Sequence, residues 1–463
     1  MKNKFTSSAE VFGWLSGFIN LEKGQKPKSF RLDRMETLME LACHPQRCAP
    51  SIHIAGSKGK GSVTGMTAAI LSEAGFRTAR YMSPHVIDIR ERICLDGDFF
   101  SEDIYCEAGG ELRHLSEELL PAAANPLFDI TAPEGCEPTY WELLTSLFFM
   151  CARLSGCNVM VVETGLGGRL DSTNVLEPLA SVITLIELEH TNFLGNTITA
   201  IAGEKAGIIK PGKPLILARQ CEEALQVFKK KAGEKNSQLY YFPDIAELSN
   251  INISPQGTDF TLLLKEDREY LHSSFSIPLP GKVQAENAAL AIAALQAAGN
   301  RQKAFQIDEE TIRKGLARLK IPARFEKIGE EAPQAHQGPF IIDGAHTPES
   351  LTLCIETFCS LYGRNGVLLF GCAADKDAAA MAKIAYSHFA KIIITTPGTF
   401  KASDPAQVFE VFAAIAGLDK TELVLDTMEA ARQAIFFADS SPILATGSFY
   451  LAAEVRRFVT QKI

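Results

Sequence analysis

The sequence has no cysteines spaced Cys-x-x-Cys, and its eleven cysteines are an odd number scattered over 463 residues. Several lie in apolar segments (Cys94, Cys151, Cys157, Cys354, Cys372). In a chain of this size that pattern excludes a disulfide framework and predicts reduced, mostly buried thiols in the cytoplasm. No apolar run approaches the roughly 20 residues needed to span a bilayer. The opening "MKNKFTSSAEVF" lacks the apolar core of a signal peptide. Internal repeats and low-complexity tracts are also missing. There is no excess of positive charge: the net charge is -9, which disfavours non-specific nucleic-acid binding but leaves room for a local basic pocket.

What is present is globular, with 46% apolar and 22% charged residues. Short β-rich runs alternate with helix-length segments. "SIHIA" (51–55), "TARYMS" (78–83), "NVMVVETG" (158–165), "SVITLI" (181–186) and "PLILAR" (214–219) read as strands. Helical patterns cover 63–74, 141–154 and 200–208. Strands that are apolar almost throughout belong to a parallel sheet covered on both faces, so the order predicts a doubly wound α/β domain. Residues 242–277 break the pattern and read as a small antiparallel hairpin region. "NAALAIAALQAAG" predicts a helix ending at Gly299, and the domain boundary is placed there: 1–298 and 299–463. A second parallel α/β series follows, with strands at "FIID" (340–343), "VLLFG" (367–371), "KIIITT" (391–396), "ELVLD" (422–426) and "PILATG" (442–447).

"HIAGSKGKGSVTGM" (53–66) places glycines and lysines between a strand and a helix. A phosphate cradle needs a strand that enters a tight loop, glycines that turn backbone N–H groups inward, and a helix whose positive end faces the anion. Gly56, Gly59, Gly61, Lys60 and Ser62 meet those needs, although the spacing departs from the usual Gly-x4-Gly-Lys-Ser/Thr. Lys60 would reach the terminal phosphates, with Ser62 facing a metal or phosphate oxygen.

Three strand ends carry polar residues that a buried strand would exclude: Ser83, Glu163 and His190. The carboxyl ends of parallel strands line the ligand crevice, so a hydroxyl, a carboxylate and an imidazole converge there as candidate magnesium ligands. Taken singly, Ser83 is also a turn before Pro84, Glu163 a solvated charge and His190 a satisfied polar residue. In "ETGLGGRLDSTNV" (163–175) glycines shape a loop pinned by Asp171 and Asn174. Lys205, in "GEKAGIIKPG" (203–212), reads by chemistry alone as a solvated charge.

Together these segments resemble the folylpolyglutamate synthase/dihydrofolate synthase family of the Mur ligase group. The likeness runs in order through "HIAGSKGKGS", "YMSPHVIDIRERICLDG" (81–97), "PTYWELLT" (138–145), "ETGLGGRLDSTNV", "EHTNFLGNTITAIAGEKAGIIKPG" (189–212) and "GKVQAENAALAIAAL" (281–295). It continues through "ARFE" (323–326), "DGAHTPES" (343–350), "GCAADKD" (371–377) and "ATGSFYL" (445–451). The resemblance implies a phosphate-loop, Mur-ligase-like central domain and a smaller Rossmann-like C-terminal domain. It implies an ATP-dependent ligase in which a pteroate or folate carboxylate takes up the γ-phosphate as an acyl phosphate and L-glutamate displaces it. Ser83, Glu163 and His190 match the family's magnesium ligands. Lys205 matches a lysine that is often carbamylated. Asn287 and Arg324 match ATP contacts, Asp343 a ribose ligand and His346 a group near the phosphates. Since those contacts come from both halves, ATP binding is expected to require their closure. A monomer in the cytoplasm is expected.

Departures from the family pattern are Ser57-Lys58 for Thr-Asn, Glu189 for Asp, Val283 for His and Thr347 for Asn. They spare Lys60, Glu163, Lys205, Asp343 and His346, and bear on substrate preference and rate. Two other readings stand beside this one: a Mur-type ligase acting on another carboxylate, and an ATP-binding regulator without ligation. The loop begins after only about fifty residues, which leaves little room for a uridine-nucleotide domain and disfavours a cell-wall role. The pterin pocket is not legible, and segment 99–138 matches least.

Overall fold

The computed structural model describes residues 4–20, 31–95, 97–119, 137–265, 270–328, 337–398 and 401–460. Residues 120–136 of segment 99–138, Cys136 among them, lie outside the described residues. The first sheet has eight strands: β1 (Ser51–Ala55), β2 (Thr78–Tyr81), β3 (Ile93–Leu95), β4 (Asp98–Phe99), β5 (Val159–Glu163), β6 (Ala180–Ile183), β7 (Leu215–Leu217) and β8 (Leu239–Tyr241). Their order is β4-β3-β2-β5-β1-β6-β7-β8. Only β3 and β4 run antiparallel to their neighbours.

β1 and β5 are buried at every position, which is why their sequences do not alternate. Their pleat divides them between two cores. Ile52, Ile54, Val159 and Val161 join helices Lys60–Glu73 and Lys282–Arg301 on one face. Met160 and Val162 join helix Tyr140–Ser155 on the other. Burying each of these side chains stabilises the fold by about 1.5–3 kcal/mol. The sheet order reverses direction at β1, so the crevice opens where the phosphate-loop sequence leaves that strand.

Helix Lys282–Arg301 is apolar all round over residues 288–295, and thirteen of its residues are buried. It continues past Gly299, where the sequence predicted an end. That glycine answers a packing demand instead: a Cβ there would lie 3.0 Å from the carbonyl oxygen of Phe305. Ile312, Leu316, Leu319 and Ile321 belong to the same core as β1, and a Cβ on Gly315 would meet the Ile70 backbone at 2.6 Å. Packing of the first lobe therefore extends well beyond the expected 298/299 boundary. The hairpin region forms a three-stranded antiparallel sheet of β9 (Ala246–Ser254), β10 (Gly257–Lys265) and β11 (Tyr270–Ile277).

The second lobe holds β12 (Glu326–Ile328), β13 (Phe340–Ile342), β14 (Gly366–Phe370), β15 (Phe389–Ile394), β16 (Thr421–Leu423) and β17 (Ile443–Thr446). Their order is β12-β13-β17-β14-β15-β16, parallel except for β12. Backbone bonds from Gly447 to Ala345 (2.9 Å) and from Gly371 to Thr446 (3.3 Å) lace the carboxyl ends of β13, β17 and β14 together. Among the ten described cysteines, the five expected in apolar segments are buried, but Cys43, Cys48 and Cys221 are exposed. Among the described residues, no helix is long and apolar enough to cross a membrane.

Candidate active site

The chain leaves β1 through Gly56, whose φ is 148°, and a Cβ there would collide with Thr184 Oγ1 at 1.8 Å. Gly59 has φ 90°, a conformation that disfavours any side chain, and caps helix Lys60–Glu73. The helix thus starts at Lys60, three residues before the expected 63, so Lys60, Gly61 and Ser62 form its first turn. Their amides point from the positive end of the helix into the crevice. Lys60 Nζ folds back over the loop and donates to the carbonyls of Gly56 (2.8 Å) and Ser57 (3.3 Å). Ser62 is buried.

Glu163 ends β5 beside this loop, buried rather than solvated, at 3% exposure. Burial pushes its carboxyl up to about 7, against the opposing pull of Lys60 and Arg324. Among the described residues its carboxylate accepts one hydrogen bond, a long one from the Ser83 amide at 3.4 Å. The structure therefore joins Ser83 to Glu163. His190 sits at the cleft mouth in a left-handed conformation, and among the described residues no hydrogen bond links it to either. Its surroundings hold its imidazole down to about 4: desolvation is the largest cause, Glu189 opposes it, and Lys60, Lys205 and Lys376 add to the lowering. A neutral ring, with one unprotonated nitrogen at neutral pH, suits a metal ligand. Among the described residues, no three His, Cys, Asp or Glu side chains cluster as a preformed metal cage. Magnesium binds through one or two protein carboxylates, water and phosphate oxygens, so a buried carboxylate short of donors beside a phosphate cradle fits it.

Lys205 is also buried, at 2% exposure. Its Nζ donates to the Gly56 carbonyl at 2.8 Å and pairs with Glu189 Oε1 at 3.0 Å. Burial lowers its pKa to about 8, despite Glu189. For Glu189 burial opposes ionisation, but Lys60, Lys205 and His190 outweigh it and hold the carboxyl down to about 2. The loop beneath is pinned as expected. Asp171 accepts from the amides of Leu166 (2.8 Å) and Thr173 (3.0 Å), and Asn174 Nδ2 donates to the Arg169 carbonyl at 3.0 Å. Gly168 and Gly207 let this loop touch the Lys205 helix, since a Cβ on Gly207 would meet Arg169 at 2.3 Å.

The second lobe reaches the same loop. A Cβ on Gly61 would lie 3.3 Å from Arg324 Nη2 and 3.6 Å from Glu163 Oε2. One on Gly59 would lie 2.6 Å from Asn287 Oδ1, which places that buried side chain against the loop. Asp343 follows β13, and its carboxylate accepts from the amides of Phe325 (2.8 Å) and Ala345 (2.7 Å). His346 Nδ1 bonds the Gly344 carbonyl at 2.8 Å. Burial, then Lys58, Lys376 and Arg324, hold its imidazole down to about 3.

Some residues at this junction carried no legible signal. Phe449 stacks under Arg324, with the guanidinium carbon 4.6 Å from the ring centroid. Lys376 acts electrostatically on His346 within its own lobe and on His190 across the lobes. Thr184 fills the space that Gly56 leaves. Glu187 faces Lys58 with one buried carboxylate oxygen lacking a partner. The quoted "GSFYL" and "AADKD" contained Phe449 and Lys376, but an aromatic in an apolar run and a lysine in a loop are unremarkable until folding brings them together.

Residues 118–295 match the Mur ligase middle domain and residues 323–449 the Mur ligase glutamate ligase domain. The chain is 32% identical to the dihydrofolate synthase/folylpolyglutamate synthase of Bacillus subtilis (strain 168), over 98% of this chain and 99% of that protein. It is similar to the crystal structure of Mycobacterium tuberculosis folylpolyglutamate synthase complexed with ADP, with TM-score 0.84, 27% identity and 98% of each chain covered. It is also similar to an FPGS–AMPPCP–folate complex, with TM-score 0.81, 29% identity and 98% and 100% coverage.

Proposed function

Because the chain belongs to the folylpolyglutamate synthase/dihydrofolate synthase family, and is an ATP-dependent ligase joining glutamate to a folate-type carboxylate, we propose how its own residues divide that work. Two anions, the substrate carboxylate and the triphosphate, must meet. The physical task is to neutralise charge where it develops. Lys60 turns from the Gly56 and Ser57 carbonyls to the terminal phosphates, which the amides of Gly59–Ser62 also cradle. Arg324 approaches the same phosphates from the second lobe, Asn287 borders the nucleotide and Asp343 accepts from the ribose. Ser83, Glu163 and His190 would hold magnesium, which would supply positive charge to screen the phosphate oxygens. Lys205, as a carbamate, adds a carboxylate beside Glu189, and His346 stands near the transferring group.

The observation that carries this reading is the geometry at Gly61, where a cation of one lobe and a carboxylate of the other face one position of the loop. The carboxylate of dihydropteroate or of a reduced folate takes the γ-phosphate, and the amine of L-glutamate then displaces phosphate. Both lobes must be together for this, so nucleotide binding and lobe closure are coupled. The protein acts as a cytoplasmic monomer.

Phosphate release with ATP, measured with and without L-glutamate and a panel of dihydropteroate, tetrahydrofolate and its one-carbon derivatives, tests the reading. Release that needs both a pteroate-type acid and glutamate supports it. ATP binding that no acid stimulates supports the regulator instead.

A further inference from the structure

We propose that Phe449 is a positioning residue whose ring holds the Arg324 guanidinium over the phosphate loop. The proposal rests on the assignment of Arg324 to the triphosphate. Among the described residues, Arg324 has no hydrogen bond and no ion pair. Asp343 and Glu163 attract it only at longer range, and the Asp343 carboxylate is already engaged by the Phe325 and Ala345 amides. The contact that fixes the guanidinium is the Phe449 face, 4.6 Å from its central carbon. A flexible arginine with no polar partner loses its orientation unless a surface of this kind confines it.

The surrounding chain is built to present that ring. Gly447, with φ 114°, turns the chain out of β17, and Phe449 opens helix Phe449–Thr460. Leu451, Ala452 and Val455 anchor the helix in the second lobe's core. Gly344 leaves the room: a Cβ there would lie 2.3 Å from the Phe449 ring. The ring also flanks His346 at 5.9 Å between centroids. One aromatic side chain thus borders both Arg324 and His346.

The test is steady-state kinetics on the full-length Phe449→Leu, Phe449→Tyr, Arg324→Ala and doubly substituted enzymes, alongside their melting temperatures. Leucine keeps the burial but loses the π face. Phe449→Leu is expected to raise the KM for ATP about fivefold, while the KM for glutamate and the melting temperature stay close to those of the parent. Phe449→Tyr restores ATP affinity to within about twofold. In the Arg324→Ala background, Phe449→Leu adds less than about twofold. Equal losses in both backgrounds overturn the proposal, as does an unaltered KM for ATP in Phe449→Leu when Arg324→Ala raises it. A crystal structure of Phe449→Leu reads placement directly: a guanidinium displaced from Gly61 supports the proposal, and one left in place overturns it. Should Arg324→Ala leave the KM for ATP unmoved, it is the nucleotide role of Arg324 that fails, and the crystal structure still decides what Phe449 does.

Discussion

Lys205 and Glu189 form an ion pair of 3.0 Å in which the lysine is almost wholly buried. Burial lowers the amine to about 8, so about half of it is uncharged at that pH and nucleophilic toward carbon dioxide. Carbamylation would replace the pair by two adjacent anions, an arrangement that persists only with a cation between them. Enzyme stripped of carbon dioxide in mild acid is therefore expected to lose most activity, and bicarbonate restores it with a rate that rises through about pH 8. Lys205→Ala falls about a hundredfold and bicarbonate does not rescue it. Full activity after stripping, with no carboxyl mass on Lys205, refutes the carbamate.

Glu163 carries the opposite strain, a carboxylate kept in a dry place for a cation. Its folded pKa, about 7, lies above the ordinary 4.5. A raised carboxylate costs stability at pH values above its unfolded pKa, and the cost grows until the folded pKa is passed. Glu163→Gln removes that cost. In the absence of magnesium and nucleotide it is expected to stabilise the protein by on the order of 2–3 kcal/mol at about pH 8, and by nothing at about pH 4. The same variant loses about a hundredfold or more in turnover, a trade of stability for function. Denaturant unfolding at the two pH values checks it. A variant less stable than the parent at the higher pH contradicts the account.

The strands and the loop were legible because they obey local rules. β1, β5 and β14 are mostly apolar runs, and Gly56 and Gly59 stand at loop positions whose backbone favours glycine. Burial of charged groups was not legible. Taken singly, Glu163 and Lys205 read as solvated charges, and only the packing of helix Ile198–Lys205 against the loop at Gly168 and Gly207 encloses the lysine. The end of helix Lys282–Arg301 was misread because a glycine that permits close packing and one that caps a helix are the same letter. The crossing between the lobes was likewise hidden, since Ile312 and Leu316 declare their core only through contact with helix Lys60–Glu73.

Among the loop glycines, replacements differ in cause. Gly56→Ala puts a methyl 1.8 Å from Thr184 Oγ1 at φ 148°, a clash inside the core of the sheet. It is expected to cost about 3 kcal/mol or more of stability. Gly59→Ala, at φ 90°, meets only the tip of Asn287 at 2.6 Å, which can rotate away. Its expected stability cost is about 1–2 kcal/mol. Rotation of Asn287 also disturbs the nucleotide border, so the KM for ATP rises about tenfold. Calorimetry and ATP titration separate the two. A Gly59→Ala enzyme with parental ATP affinity removes Asn287 from the site.

Lys58 stands where the family usually has asparagine, and its surroundings give it a task. Burial lowers its pKa, while Glu189 and Glu187 favour its charge. Burial raises the Glu187 carboxyl, and Lys58 is the largest influence opposing that rise. Lys58→Met leaves Glu187 enclosed with an oxygen that already lacks a hydrogen-bond partner. The cost arises only while Glu187 is ionised. It is therefore present at high pH and disappears as pH falls through the raised carboxyl value and the group takes up a proton. Because Glu187 is half-buried, solvent screening limits the loss to about 1 kcal/mol. Unfolding midpoints at about pH 8 and about pH 4 are expected to separate from the parent only at the higher value. Lys58→Met in a Glu187→Gln background should show no difference at either pH, because the charge that Lys58 balances is gone. A loss that persists in that background would mean that Lys58 acts through Glu189 or through its own packing.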